Sequence, residues 1–567
     1  MKKNVLLKKS IATLMAATMV ASMAGCGNNA SEESASNNAT ENVTENNENV
    51  AAESSDENND SASAETTTLK ILHFGAEPEG WAAVYEKFQE QTKDTLNVEL
   101  DINWVEPSDY ADKLNLEITA GGDWDLVFDA PWMHLKNLSA EGYYADLSEY
   151  FNNPDEYPGL ASAFSADAME ANSWFGNMCY IPLFETYGNG IPCVYYRQDW
   201  AKEWGIGTDG QINSYEELEQ YWQAAQDNGV TPYGATQSRG FYQMYTTAGY
   251  PEGAAEAGLE LYSAGGLSIW TYVKDGELVS YAAEGSGDEA FADFPEGFNY
   301  DFGVERFEKF AEWQSKGYID MDSLSCVDSE TPFQSSLSAS IVGTLDDYVK
   351  MSAYESDWGS EDALGFFVYV DGIRNMEAGA IQTNRSANNG LAVPSSSTKI
   401  DKTMEFLDWL FGAQENHDLF QLGIEGTDFV YGETDGTYET LTSYSADFAG
   451  YAFTWNPNYA LISTAYTGKA LDYVKYGNED STFMSLPVLG FRFDTSDVDL
   501  STSVAQCAAV TDMTATVKLH GICTDGNGNS YDTITEMIQA NTQEALENGG
   551  QEVLDAFGEQ LRAYLAE

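Results

Sequence analysis

Two short segments set an aromatic ring beside a carboxylate. HFGAEPEGW, His73 to Trp81, carries Glu77 and Trp81, and DAPWMH, Asp129 to His134, carries Asp129 and Trp132. Sugar recognition needs that pairing, because the apolar face of a pyranose packs on a ring while its hydroxyls require fixed donors and acceptors at the edges. Trp81 also falls on a helical stripe that faces a core, so packing competes with ligand contact there. Trp132 sits in a loop and has no such stripe.

Other chemistries find less support in the residue pattern. A pair of carboxylates could make a surface glycoside hydrolase, but among 92 Asp and Glu a pair somewhere is guaranteed and carries no information. His73, His134, His417 and His520 are scattered without H-E-x-x-H spacing, and neither G-x-S-x-G nor a Walker A motif occurs. GIGTDG, Gly205 to Gly210, matches G-x-G-x-x-G but follows a polar, Trp-rich helix end where a strand should stand, and reads as a loop before Ser214. Asp525, Asn527, Asn529 and Glu536 occupy positions 1, 3, 5 and 12 of an EF-hand-like loop. Ser530 stands where Gly belongs and Asp532 where an apolar residue belongs, so a Gly/Asn turn feeding the last helices explains the same letters. No catalysis, no metal and no cofactor are expected.

The elements that must carry the two aromatic loops are readable. Leu69 to Phe74 reads as a buried strand, Gly80 to Thr92 as a helix with Trp81, Val84, Tyr85 and Phe88 on one stripe, and Leu96 to Trp104 as a strictly alternating strand. A helix follows from a Ser108 cap to the Gly121-Gly122 stop, then the strand Trp124 to Phe128. This β-α-β-α-β run implies a parallel sheet covered by helices, with ligands beyond the carboxyl ends of its strands, where both loops lie. Further on, Ser214-x-x-Glu217 opens a capped helix, GVTPYG reads as a turn into a strand, and helices are expected through Phe307 to Trp313, through Met404 to Phe411, and over almost all of Asp532 to Ala566.

Acidic residues outnumber the 26 Lys and Arg, for a formal net charge of −66. Nucleic acid and anionic lipid surfaces are poor partners for that field, and a neutral or cationic ligand is favoured over a phosphate or sulfate. Outside the amino-terminal region the cysteines are Cys179, Cys193, Cys326, Cys507 and Cys523, an odd number without C-x-x-C spacing. Cys179 with Cys193, or Cys507 with Cys523, could pair; buried free thiols are the competing expectation.

The amino terminus has its own logic. Lys2, Lys3, Lys8 and Lys9 precede an uncharged run from Ser10 to Gly25, shorter in its apolar part than the ~20 residues of a spanning helix. Met23-Ala24-Gly25-Cys26 resembles the lipobox of bacterial lipoproteins, which implies a signal peptide over 1–25 and lipidation of Cys26. From Gly27 to Thr68, ten carboxylates stand against no Lys or Arg, and aromatic residues are absent. Such a segment cannot bury enough apolar area to offset its ordering entropy, so residues 26–68 are expected to be an anchor and a flexible acidic tether.

Five segments in order along the chain resemble one family. GGDWDLVFDA, VYYRQDWAKEWGI, SYEELEQYWQAAQDNGVTPYG and FEKFAEWQSKGYIDMD are similar to its weaker motifs, and LAVPSSSTKIDKTMEFLDWLFGAQENHDLFQLGIEGTDFVY to its most distinctive stretch. The chain thereby resembles the extracellular solute-binding proteins of ABC importers, family 1, the carbohydrate group with LipO-like lipoproteins. It departs from the pattern at Ser397-Thr398-Lys399 and at Phe429.

The resemblance implies an α/β, two-lobed periplasmic-binding-protein-like fold with a hinged cleft. Lobe 1 would take 69–186 plus 388–441, lobe 2 187–387 plus 442–567, with chain crossings near Thr186 to Ile191, Thr383 to Asn389 and Leu441. Ligand residues would be Glu77, Trp81, Asp129 and Trp132 from one lobe, Tyr187 near the hinge, Asp346, Asp347, Tyr348 and Trp455 from the other, and Arg385 from a crossing. The expected partners are a carbohydrate ligand, ABC permease subunits, and the membrane through the lipid anchor. The chain is expected to be a monomer on the extracellular face of the cytoplasmic membrane of a Gram-positive cell. A binding protein for peptides or another solute is the alternative within the binding class.

Overall fold

The computed structural model describes residues 66–174, 176–184, 190–237, 239–241, 244, 251–441, 456 and 458–566. Tyr187, Trp455, Cys26 and the signal and nearly all of the tether expected before Thr68 lie outside the described residues. Strands, and helices of eight residues or more, are numbered in chain order.

β1 (Thr67–Phe74) begins two residues before the expected strand start at Leu69. Its residues Ile71 to Phe74 are all buried, as a strand covered on both faces requires. β1 lies parallel to β2 (Val98–Val105) and to β3 (Leu126–Asp129). α1 (Trp81–Thr92) buries Trp81, Val84, Phe88 and Thr92 at helical spacing. α2 (Pro107–Thr119) is capped at Glu106, not at Ser108 as expected. Pro107 at the first helical position explains the shift, since its fixed φ is already helical and its missing N–H would have no partner there.

The first sheet is completed from far along the chain. β12 (Asn389–Ala392) inserts antiparallel between β3 and β4 (Ile181–Leu183), giving the order β2-β1-β3-β12-β4. The Ser397-Thr398-Lys399 departure has a structural use here. Ser397 Oγ donates to Asp125 Oδ1 at 2.7 Å and Lys399 Nζ to Asp125 Oδ2 at 2.8 Å, while Asp125 also takes the Lys70 amide. This clasp fastens the segment after β12 to β1 and the approach to β3. α5 (Ile400–Phe411) and α6 (Gln414–Gln421) then pack Met404, Phe406, Leu407 and Phe420 into the same core as Leu69, Trp81 and Phe88.

A second sheet has the antiparallel order β10-β5-β9, from β5 (Pro192–Arg197), β9 (Ser340–Thr344) and β10 (Leu364–Val368). β5 is buried throughout, and its alternation feeds two cores: Val194 and Tyr196 join Trp222 and Trp313, whereas Cys193 and Tyr195 join Phe333 and Tyr473. Trp222 and Trp313 come from α3 (Tyr215–Asp227) and α4 (Glu305–Ser315), and α7 (Gly468–Gly477) brings Tyr473. The Ser214 cap is present, its Oγ accepting from the Glu217 amide. GVTPYG makes isolated parallel bridges, Thr231 with Ser338 and Gly234 with Ile341, instead of the expected strand, because Pro232 cannot donate to a ladder.

β6 (Leu259–Ala264), β7 (Leu267–Lys274) and β8 (Glu277–Ala283) form an antiparallel meander that the sequence reading did not anticipate. Its turns are Gly265-Gly266 and Asp275-Gly276, all at positive φ, the conformation that two-residue hairpin loops demand. It packs on α8 (Val498–Leu519), α9 (Ile534–Ala545) and α10 (Gln551–Leu565). α9 and α10 fulfil the expected helical carboxyl end, broken at Asn548 and Gly549. Two small sheets remain: β11 (Ile381–Thr383) parallel to β16 (Phe483–Ser485), and β13-β14-β15 from Phe429–Tyr431, Thr437–Thr440 and Ile462–Ser463. The five described cysteines outside the anchor are free thiols, and Cys179, Cys193 and Cys507 are buried. Among the described residues no helix is long and apolar enough to cross a membrane.

Candidate ligand cleft

Strand register brings four chain segments to one edge of the first sheet. Asn389 opposes Leu183 and Gly390 opposes Asp129, so the carboxyl ends of β3 and β4 meet the amino end of β12. The loop 75–80 leaves β1 toward the same edge, since β1 runs parallel to β3.

Asp129 is fully buried at that edge. Its Oδ1 accepts the amides of Ala130 at 2.7 Å and His134 at 3.1 Å, and its Oδ2 accepts the Tyr144 hydroxyl at 2.7 Å. Burial, unmatched by a full countercharge, pushes its carboxyl up to about 6. Asp129, expected as a ligand residue, here braces the turn that projects Trp132. Trp132 is 51% exposed, stands edge-on to Phe74 at 6.2 Å, and donates from Nε1 to Asn389 Oδ1 at 3.1 Å. Trp81, also expected as a ligand residue, is 7% exposed and packs among Tyr85, Trp104 and Phe420. Glu77 is exposed in the loop after β1.

The second sheet offers a similar edge. Thr344 opposes Pro192, and the Leu345 amide donates to Ile191 O at 3.0 Å, so the turn after β9 lies against the chain entering β5. Asp347 closes a capping box with Thr344 and pairs with Lys350 Nζ at 3.3 Å. Expected as a ligand residue, it is only 5% exposed and braces this turn. Asp346 is exposed beside it. Tyr348 stacks on Tyr466, with centroids 5.8 Å apart, and its hydroxyl meets Thr467 Oγ1 at 3.1 Å. Tyr348 and Thr467 also line a cavity of about 370 Å³ together with Gln198, Ser352, Glu355 and Asp362.

Between the edges, the segment from β11 to β12 is pinned from both sides. Asn172 donates to Arg385 O at 2.9 Å and accepts the Ala387 amide at 2.8 Å. Arg385, at φ 55°, directs its Nε to Ser485 Oγ at 3.4 Å and lays its guanidinium over Phe483, so its described contacts are with β16. Arg492 donates to Ala171 O at 2.9 Å and Ser386 Oγ at 2.8 Å and covers the Trp174 ring. Nearby Glu260 is buried and accepts the Val488 amide; burial raises its carboxyl to about 8.

Asn389, Tyr466 and Arg492 were not singled out from the sequence. Asn389 stands in a polar Asn-Asn-Gly run that reads as a turn, and its link to Trp132 spans 257 positions. The calcium-like turn resolves as an internally bonded loop. Asp525 accepts the amides of Asn527 and Asn529, the Asn529 side chain and the Tyr531 hydroxyl, while Glu536 lies exposed in the first turn of α9. Among the described residues no group of three or more His, Cys, Asp or Glu is placed to hold a metal.

Residues 75–321 match the family model described as bacterial extracellular solute-binding protein, in agreement with the resemblance carried by the sequence motifs. A search of curated proteins finds no match. Among solved structures, the N-glycan transport solute binding protein NgtS from Streptococcus pneumoniae aligns with TM-score 0.65 at 16% identity, over 88% of this chain and 100% of that one. The same protein in complex with Man1GlcNAc aligns with TM-score 0.60 at 17% identity and equal coverage. An HMO-binding, ABC-transporter-associated solute-binding protein from Bifidobacterium longum infantis aligns with TM-score 0.56 at 14% identity, over 88% of this chain and 99% of that one. The fold is thus the mixed α/β, two-lobed periplasmic-binding-protein-like architecture.

Proposed function

We propose that the protein is the lipid-anchored, extracellular receptor of an ABC importer, and that it captures a neutral sugar or oligosaccharide between its lobes for a membrane permease. The observation that carries this reading is Trp132, a half-exposed ring at the carboxyl edge of the first sheet, beside the crossing strand. The solved relatives that bind glycans, by their own descriptions, share the two-lobed fold and support the choice of ligand. Lobe 1 comprises 69–186 plus 388–441 and lobe 2 187–387 plus 442–567, with Trp132, Glu77 and Asn389 on one wall and Asp346, Tyr348 and Tyr466 on the other. Tyr187, Trp455 and Arg385 remain ligand candidates. Closure is a population shift toward the state in which the sugar touches both walls. Cys26 carries the acyl anchor and the acidic tether gives reach.

A thermal-shift screen of neutral glycans, Man1GlcNAc among them, against peptides tests the reading. A ligand at 100 times its dissociation constant adds about 2.7 kcal/mol of stability. Stabilisation by peptides and by no glycan would sink the sugar assignment; new reducing ends in the same incubations would replace the receptor by a hydrolase.

A further inference from the structure

The indole of Trp132 is donor only, and this settles the orientation of its partner. An indole N–H can be met only by an acceptor, so the Asn389 amide must turn its oxygen toward Trp132, as the 3.1 Å contact has it. The Asn389 nitrogen, with two N–H donors, is thereby turned away from the ring's edge. No described atom accepts from it, although the residue is only 6% exposed. Asn389 is also the first residue of β12, reached directly from the segment pinned by Asn172 and Arg492.

Resting on the sugar reading above, we infer that Asn389 is a specificity-determining residue of the cleft: its carbonyl holds the Trp132 ring as a platform, and its NH₂ donates to an oxygen at the edge of the pyranose stacked there. The two roles depend on one another. A donor beside an apolar ring matches a sugar, whose face is apolar and whose rim carries hydroxyl and ring oxygens. A ligand hydroxyl that accepts from Asn389 is distinguished from its deoxy analogue, which would leave the amide unpaired once water is excluded. Because Asn389 begins the crossing strand, platform and donor move together with the crossing.

Three variants of the full chain separate the roles. Trp132→Phe identifies the Trp132 indole ¹H–¹⁵N resonance by its loss. In ligand-free protein, Asn389→Ala should move that resonance, whereas Asn389→Asp, which still offers an oxygen, should leave it near the wild-type position. In calorimetric titrations with the glycan giving the largest thermal shift, Man1GlcNAc being the first tried, Asn389→Asp should bind roughly tenfold more weakly through loss of the donor. Asn389→Ala should bind more weakly again. An unmoved resonance in Asn389→Ala overturns the platform role, and wild-type affinity in Asn389→Asp overturns the donor role. If the wild type takes no glycan, the sugar reading falls and the donor role with it, while the resonance still judges the platform.

Discussion

The turns after β3 and β9 use one device in two electrostatic settings. After β3 and after β9 alike, a buried carboxylate accepts backbone N–H in the turn, two amides at Asp129 and one at Asp347, and an aromatic residue follows within three positions. Asp347 has Lys350 within 3.3 Å. Asp129 has amides and a phenol, and its carboxyl rises to about 6 as burial outweighs them. In both turns the carboxylate shapes the loop, while the ring that follows is half-exposed at Trp132 and stacked on Tyr466 at Tyr348. An Asp beside a Trp therefore signals a built platform as readily as a polar ligand contact.

The contrast can be broken most directly at Asp129. Asp129→Ala leaves two amides and the Tyr144 hydroxyl without their acceptor, and unmade buried hydrogen bonds of this kind should cost about 3 kcal/mol in urea denaturation. Trp132→Ala should leave the fold intact and weaken sugar binding by about 2 kcal/mol, roughly thirtyfold in Kd, measured by calorimetry. Unchanged affinity would remove Trp132 from the site. Asp347→Ala removes the capping box of the turn after β9 and should cost about 1 kcal/mol, clearly less than Asp129→Ala; equal losses would dissolve the distinction between the two turns.

The smallest effect concerns pH. Asp129 has its folded pKa raised from 3.8 to about 6, so between those values the native state holds more proton than the unfolded chain. Its contribution to stability is full below about pH 4 and lost as pH rises through 6. Asp129→Asn should flatten that part of the melting-temperature profile, and the difference curve against wild type isolates the group. A difference curve of opposite slope would reverse the assignment.

Much of the first sheet was legible because its strands and helices bury one period each: Trp81, Val84 and Phe88 on α1, and the alternation of β2. The meander of β6 to β8 was legible in principle, since Gly265-Gly266 and Asp275-Gly276 are hairpin signals. α8 offered less. Its Ala, Ser and Thr recur on every side, and only Ser503, Cys507, Val510 and Thr514 are buried. The Asp129 and Trp132 loop was found from residue type, but the burial of the carboxylate was not, because the Tyr144 hydroxyl and the packing around it appear only in three dimensions. Asn389 was out of reach for the same reason: β12 pairs with β3 from nearly half the chain away, Gly390 opposite Asp129.

Arg492 ties distant stretches of the chain to one charge. Its half-buried guanidinium donates to the carbonyl oxygens of Phe491 and Ala171 and to the Ser386 hydroxyl, and it covers the Trp174 ring. Drawing Ala171 or Ser386 away would leave the cation short of an acceptor, at a cost of about 1–3 kcal/mol. A single side chain thereby fastens the approach to β12 to the helical turn at Ala171, two stretches more than 200 positions apart in the chain.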